Sequence, residues 1–302
     1  MRADMVDVDP VTAEFEAHRA YLFSIAYRLL GTVSDAEDMV QETYLRWRQA
    51  PDEHIRSSRA YLATIVVRLC MDQLRSARAK REVYVGPWLP EPLVTSDRAD
   101  LTDSVIMRES LSFAFLLMLE KLSPLERAVF VLREVFDFDY SEIAQIVEKS
   151  EANCRQVFHR ARQRMHEDEL RFEAHAEEVR ALAQQFMQAA SSGDLDGIIR
   201  LLAEDVTHTP DGGGKAAVGG LRTIHSPDRV ARGTLGSLMN IPPDRAWIEE
   251  INGQPAIVAT RGGKPYAVLV LETRNGQIHR LYTVVNPDKL TDIARLVGSR
   301  GN

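Results

Sequence analysis

Cysteine is scarce: Cys70 and Cys154 are the only two in 302 residues, and neither stands in a CxxC pattern or near a histidine at metal-ligand spacing. No disulfide framework, zinc site or other cofactor is expected, and both thiols read as small core residues. Long apolar runs are missing as well. The opening residues, MRADMVDVDPVTAEFEAH, are acidic and interrupted by polar residues. Neither a secretory signal nor a membrane anchor is expected there; the expected location is cytoplasmic, with no membrane partner. A net basic charge is also lacking, and the formal charge of −7 argues against a protein that coats nucleic acid by bulk electrostatics. No repeat of 20 to 50 residues is visible. What the chain does have is 45% hydrophobic and 27% charged residues, an ordinary globular composition whose length predicts two or three domains.

Total charge hides how the signs are distributed. Residues 34 to 42, SDAEDMVQE, carry Asp35, Glu37, Asp38 and Glu42 with no basic residue, whereas residues 153 to 166, NCRQVFHRARQRMH, carry Arg155, Arg160, Arg162 and Arg164 with no acidic one. Such a chain can meet one partner through an acidic surface and DNA through a separate basic one.

From Phe15 to about Arg81 apolar residues recur at helical spacing, including Tyr21, Ile25, Leu29, Val40, Tyr44 and Trp47. Gly31 breaks the first helix. Ser34 with Glu37 has the form of a capping box, predicting a new helix from Asp35; Pro51-Asp52 ends it, and Arg59 to about Ala79 forms a third. Residues 82 to 104 hold three prolines and no sustained period, which predicts an extended linker between two helical domains. A helix is expected over 105–121. After it, Ser123-Pro124-Leu125-Glu126 combines an N-cap, a proline at the first helical position and a glutamate at N3. Asp139 with Glu142 opens YSEIAQIV, and Ser150 opens EANCRQVFHRARQRM; two helices joined by so tight a turn predict a helix-turn-helix. Beyond Phe172 come one more helix to about Ala190, a short helix around LDGIIRLLAEDV, and then alternating stretches (WIEEI, AIVAT, YAVLVLET, HRLYTVV) separated by Gly, Asn and Pro turns. That order predicts an α+β domain with an antiparallel sheet.

In the second helix of the helix-turn-helix, Cys154, Phe158, Ala161 and Met165 fall on one stripe. The opposite face carries Asn153, Arg155, Gln156, His159 and Arg160, types that reach base edges or phosphates, while Arg162 and Arg164 suit phosphates. The alternative is a solvated basic face on a core helix.

Residues 12 to 170 resemble an extracytoplasmic-function sigma factor. AYRLLGTVSDAEDMVQETYLRW is similar to the start of region 2, RAYLATIVVRLCMDQLRSARAKRE to its promoter-contacting end, and LSPLERAVFVLREVFDFDYSEIAQIVEKSEANCRQVFHRARQRM to region 4. The resemblance implies a region 2 helical bundle over 10–82, a Pro-containing linker over 83–108, a region 4 helix-turn-helix over 109–171 and a further domain over 172–302. It implies core RNA polymerase and promoter DNA as partners. Asp35, Asp38, Gln41, Glu42, Arg46 and Trp47 would dock on the polymerase. Arg59, Tyr61, Arg68, Arg75, Arg78, Lys80 and Arg81 would hold the melted −10 strand, since cations track phosphates and an aromatic stacks an unpaired base, and region 4 would read the −35 element. Two departures stand out: Glu148 occupies the turn where the family often has glycine, and Val157 lies between the DNA and core faces.

The last 130 or so residues resemble a SnoaL-like cone with a curved sheet around a pocket, fused to a subgroup of these sigma factors. Trp88-Leu89-Pro90-Glu91-Pro92, Asp211-Gly212-Gly213-Gly214-Lys215 and Asn286-Pro287-Asp288-Lys289 resemble that subgroup's motifs. The resemblance implies that this domain regulates the factor. The three segments are expected to form one contact through which it sets the spacing of the two DNA-binding domains, with a small ligand as a further candidate partner. Taken alone, DGGGK reads as an adaptable loop or a hairpin turn, NPDKL as a turn starting a last helix and WLPEP as a stiff spacer. The competing classes are an enzyme using His208, Asp211 or His225 as acid-base, and a helix-turn-helix regulator with a ligand-sensing domain; no nucleophile-base-orienter set is visible, so a non-enzymatic role is expected.

Overall fold

The computed structural model describes residues 9–50, 55, 57–81, 84–98, 101–102, 104–166, 176–216 and 221–300, with backbone alone at 77–81 and 300. The chain divides into two units, Met1–Arg78 with Leu119–Glu167 and Ala79–Met118 with Asp168–Asn302. This grouping differs from the four sequence segments. The residues read as a linker group with the C-terminal domain, and so do 109–118, read as the start of region 4: Leu89, Val94 and Phe113 are all buried in its core. Each such side chain contributes roughly 1.5–3 kcal/mol of hydrophobic stabilisation.

The first unit is helical. Helix α1 (Pro10–Leu30) is capped by Asp9, whose side chain accepts from the Val11 amide at 3.3 Å, and ends at Gly31, φ 74°, a left-handed position where glycine carries no Cβ penalty. Helix α2 (Val33–Arg48) starts two residues earlier than Ser34 signals. Gly31 passes the chain directly to an extended Thr32, which becomes the N-cap residue and donates to Asp35 Oδ2 at 2.6 Å. Helix α3 spans Ser58–Arg81. The helix expected over 105–121 is two, α4 (Val105–Glu109) and α5 (Phe113–Leu119). Between them the Ser110 and Ser112 hydroxyls donate to the Met107 and Glu109 carbonyls at 2.9 and 2.8 Å, competing with helical bonding. Helix α6 (Pro124–Glu134) opens on the predicted capping box, with Ser123 N donating to Glu126 Oε2 at 3.0 Å and Glu126 N to Ser123 Oγ at 3.3 Å. Helices α7 (Tyr140–Val147) and α8 (Glu151–His166) follow.

In the second unit, helices α9 (Ala176–Ser192) and α10 (Leu195–Leu201) lead into β1 (Leu202–Asp211). The short helix expected around LDGIIRLLAEDV thus stops at Leu201, and the last residues of that stretch are strand. After β2 (Ile224–His225) comes α11 (Pro227–Asn240), a helix that the sequence pattern does not announce. Strands β3 (Arg245–Ile251), β4 (Gln254–Arg261), β5 (Lys264–Arg274) and β6 (Gln277–Val284) precede a 3-10 turn at Pro287–Lys289 and α12 (Thr291–Arg300).

One sheet of order β2-β1-β6-β5-β4-β3 results, antiparallel except between β1 and β6. Its last three hairpins turn on Asn252-Gly253, Gly262-Gly263 and Asn275-Gly276, both residues of each at positive φ, as two-residue turns matching strand twist require. Irregularities at Ala259/Thr260 and Glu272/Thr273 bend the strands, giving the curved sheet of a SnoaL-like cone. Strand alternation divides the core. Val206, Ile257, Leu271 and Leu281 face Phe186, Ile198 and Val230 of α9, α10 and α11. Val258, Val270, Tyr282 and Val284 face Leu89, Val94, Phe113, Ile293 and Leu296. The linker and α12 therefore cover one face of the sheet.

Candidate functional site

Three sets of residues carry the candidate chemistry. In the helix-turn-helix, the Glu148 backbone sits at φ 55°, ψ 49°, and its left-handed turn lets Lys149 N reach Ala144 O at 3.1 Å. Helix α8 buries Cys154, Val157, Ala161 and Met165. That turns Asn153, Arg155, Gln156, His159, Arg160, Arg162 and Arg164 outward. Val157 thus belongs to the core face. Arg155 pairs with Glu151 at 2.8 Å and lies over the Tyr140 ring at 5.1 Å, while Arg164 pairs with the capping Glu126 at 2.8 Å and ties α8 to α6.

On α2 and α3 the candidates separate into bound and open. Asp35 accepts from Thr32 and from Gln73 Nε2 at 3.2 Å. Trp47 Nε1 donates to Val11 O at 2.9 Å, and Glu42 pairs with Arg46 at 3.0 Å. Asp38 and Gln41 are exposed, and with them Leu45, 46% exposed, which completes one helical face. Arg59 lies over the Tyr21 ring at 4.4 Å, Tyr61 is 6.0 Å from the Trp47 ring, and Arg75 pairs with Asp72 at 3.0 Å. Arg68 is engaged elsewhere: it donates to Ile146 O and Gln145 O, both at 2.9 Å, and pairs with Glu148 at 3.0 Å, holding the turn between α7 and α8. The side chains of Arg78, Lys80 and Arg81 lie outside the described residues. Arg127 is deeply buried, donates to Leu29 O and pairs with Glu120, each at 2.8 Å. Burial pushes its guanidinium down to about 9, so it stays charged near neutral pH.

The third set lies at one end of the sheet, where the three motif segments meet. Asp211, with no exposed surface, is the last residue of β1. Its Oδ2 accepts from Leu89 N at 2.8 Å and from Lys289 Nζ at 2.6 Å, and its Oδ1 from Tyr84 OH at 2.5 Å. Lys289 Nζ also donates to Leu89 O at 2.5 Å and lies over the Trp88 and Tyr84 rings at 4.3 and 4.9 Å, an aromatic cage for a desolvated cation. Asn286 Nδ2 donates to Tyr84 OH at 2.9 Å, and Thr291 Oγ1 to Glu91 Oε1 at 2.7 Å. Pro90 is buried beside Glu91. Asn286 caps the turn at Pro287 by accepting from Asp288 N at 3.1 Å, and Lys215 pairs with Asp288 at the surface. The glycines are required by close approach. A Cβ on Gly213 (φ 56°) would overlap Asn286 Nδ2, and one on Gly214 (φ 70°) would lie 3.0 Å from Val85 Cβ. Gly212 leads into this turn.

The three candidate acid-base residues do not converge. Asp211 is committed to the linker contact. His225 is exposed, and His208 has Nε2 2.8 Å from Thr283 Oγ1, with burial pushing its pKa down to about 4 so that it is neutral near pH 7.

Comparison with known proteins identifies the helical unit first. The family model for sigma-70 region 2 matches residues 15–80, and that for sigma-70 region 4 matches residues 112–165. The ECF RNA polymerase sigma factor SigJ of Mycobacterium tuberculosis is 39% identical over 296 residues, covering 92% of this chain and 93% of that protein. The chain is an extracytoplasmic-function RNA polymerase sigma factor. A probable ECF RNA polymerase sigma factor of the same organism, SigI, is 33% identical over 96% of this chain and 98% of its own length. The crystal structure of M. tuberculosis SigJ has a TM-score of 0.73 at 35% identity, covering 93% of this sigma factor and 98% of that chain.

Several residues of the sigma factor's candidate sites leave no signal in its sequence. Tyr84 stands outside the WLPEP motif and reaches Asp211 across 127 positions; only its aromatic character close to the prolines marks it. Leu45 is a lone apolar residue on a polar face. Glu148, by contrast, stands out as a departure from the family, and its left-handed backbone yields a prediction. Glu148→Gly is expected to stabilise the sigma factor by roughly 1 kcal/mol, since a non-glycine left-handed residue costs about that much and the exposed pair with Arg68 returns less. Thermal unfolding of the two proteins measures it; a lower midpoint for the variant contradicts the strain.

Proposed function

We propose that this sigma factor recruits core RNA polymerase through the α2 face of Asp38, Gln41 and Leu45 with Glu42 and Arg46, that region 2 holds the melted −10 strand, and that region 4 reads the −35 element through α8. We propose further that the C-terminal domain sets its output by gripping the linker at Asp211 and Lys289. The observation that carries the regulatory part is the buried ion pair of Asp211 and Lys289 closed on Leu89 of the linker. Asp35 and Trp47 act chiefly in packing, and Arg164 chiefly in joining α8 to α6. Arg68 serves a phosphate only once released from the turn it now holds, whereas Arg59, Tyr61 and Arg75 are open to DNA as they stand.

Run-off transcription by core polymerase with the full chain, on a library of genomic promoters, tests the assignment, followed by single substitutions on α8. Asn153→Ala or Gln156→Ala is expected to cost about 1–3 kcal/mol at one base position and relax the preference there. Arg162→Ala is expected to weaken all promoters alike and lower the salt slope by about 1. Unchanged preference in both Asn153→Ala and Gln156→Ala would remove α8 from base readout.

A further inference from the structure

Outside the three motif segments, the linker is held at a second place, the tight turn between β3 and β4. Asn252 is 1% exposed with φ 54°, a conformation asparagine tolerates better than most side chains. Its backbone N donates to Leu93 O at 2.8 Å, and its Oδ1 accepts from Leu93 N at 2.9 Å. Its Nδ2 donates to Leu111 O at 2.8 Å. One amide therefore joins Leu93 of the linker to Leu111, at the start of the segment read as region 4, and both ends of that amide are used.

The surroundings strengthen the contact. Val94 makes an isolated antiparallel bridge to Ile251, Thr95 N donates to Glu250 O at 3.1 Å, and Gly253 N donates to Thr95 Oγ1 at 3.0 Å, so the linker lies along the edge strand β3. Asp292 of α12 accepts from Val94 N at 2.8 Å and pairs with Arg98 at 3.3 Å. A Cβ on Gly253 would lie 2.7 Å from Arg108 Cγ, so α4 is seated on the turn. Two residues after Leu111, Phe113 begins α5 with its ring 6.0 Å from that of Tyr282. Asn252 thus also holds Leu111, which follows the linker and immediately precedes the matched region 4 at 112.

We infer that Asn252 is a second latch on the linker, closed independently of Asp211, and that it selects the promoter spacer lengths this sigma factor accepts. The inference rests on the reading that the C-terminal domain grips the linker. While the latch is closed, Leu93 and Leu111 are held at one side chain, so the chain between them adds nothing to the reach between regions 2 and 4. Opened together with the bonds of Val94, Thr95 and Arg98 to Asp292 and Glu250, that segment can lengthen to a limit of roughly 60 Å at about 3.3 Å per residue. A closed latch confines the sigma factor to a narrow set of spacings, and an open one widens it.

Substitutions separate the parts. Asn252→Gly keeps the left-handed backbone and removes the amide; Asn252→Asp keeps the acceptor for Leu93 N and removes the donor to Leu111 O; Asp211→Asn disturbs the first latch alone. Hydrogen exchange on the full-length proteins, with the Val258 and Val270 amides as the control for an intact sheet, is expected to show about tenfold faster exchange at Leu93, Val94 and Thr95 in Asn252→Gly, with Leu89 unchanged. Asp211→Asn is expected to free Leu89 and spare the other three. With core polymerase and one promoter rebuilt with its spacer changed in single base-pair steps, Asn252→Gly and Asn252→Asp are expected to transcribe a wider range than the parent. Simultaneous loss of protection at all four amides in either Asn252→Gly or Asp211→Asn overturns independence. The expected exchange with an unchanged spacer profile overturns the role in spacer selection. If Asp211→Asn also leaves every template unchanged, the grip of the C-terminal domain on the linker fails as a regulatory reading, whereas a changed Asp211→Asn profile beside an unchanged Asn252→Gly profile sinks the second latch alone.

Discussion

Lys289→Met is expected to destabilise the second unit by about 3–5 kcal/mol, the usual result of removing one partner from a buried pair. Methionine keeps the length and apolar body of lysine, so the Tyr84 and Trp88 rings that flank Lys289 keep a packing partner. What the substitution removes is the charge and the donor to Leu89 O. Asp211, with no exposed surface, keeps Tyr84 OH and Leu89 N as hydrogen-bond donors but loses its cation. Adding Asp211→Asn to Lys289→Met removes the stranded charge, so the double variant is expected to recover much of the loss. Urea unfolding of the full chain measures all three proteins. Lys215→Ala, which breaks an ion pair with 57% and 59% exposed side chains, gives the scale of a surface pair, about 0–1 kcal/mol. A Lys289→Met loss no larger than that would contradict the buried lock.

Glu272 is expected to withdraw about 3 kcal/mol of its own contribution from the second unit between pH 4.5 and 7, against an opposite contribution from His208, which burial pushes down to about 4. This residue on β5 is buried, with its Oε2 3.8 Å from Arg280 on β6. Burial raises its pKa from 4.5 to about 7, Arg280 pulling the other way. A folded-state pKa above the unfolded value means that the folded chain binds the proton more tightly, so the contribution of Glu272 is greatest below about 4.5, declines as pH rises to about 7 and is level beyond it. The size follows from about 1.4 kcal/mol per pKa unit. Glu272→Gln, a neutral shape match, is expected to remove this contribution and leave that of His208, so that the variant gains on the parent as pH rises from 4.5 to 7 and exceeds it at about pH 8. Denaturation midpoints of both proteins across this range decide the matter; parallel curves would contradict it.

Much of the fold is legible in the sequence because its signals are local. Ser123-Pro124-Leu125-Glu126 specifies its cap with its own atoms, and Asn252-Gly253 and Asn275-Gly276 specify tight hairpins by their tolerance of positive φ. Thr32 displaces Ser34 as a cap because Gly31 determines where the chain leaves α1. Helix α11 is hidden by Gly233 and Gly236, which weaken helical propensity. The burial of the linker is the least legible feature: prolines at 87, 90 and 92 suit an extended solvated segment equally well, and only the sheet face supplied by distant strands determines that Leu89 and Val94 are covered. The outward face of α8 can be read from its apolar stripe. The engagement of Arg68 with the Gln145 and Ile146 carbonyls cannot, because a cation carries no record of which acceptor it meets.

The most direct measurement is run-off transcription from the full-length protein with core RNA polymerase, in parallel with its Lys289→Met variant, on the same promoter library. Deleting the C-terminal domain is a poorer comparison, since it strips the cover from Leu89, Val94 and Phe113. Promoter-specific transcripts that require the protein, with a level or promoter range that changes in Lys289→Met, are the predicted result. A folded full-length protein that neither binds core polymerase nor yields any transcript would contradict it.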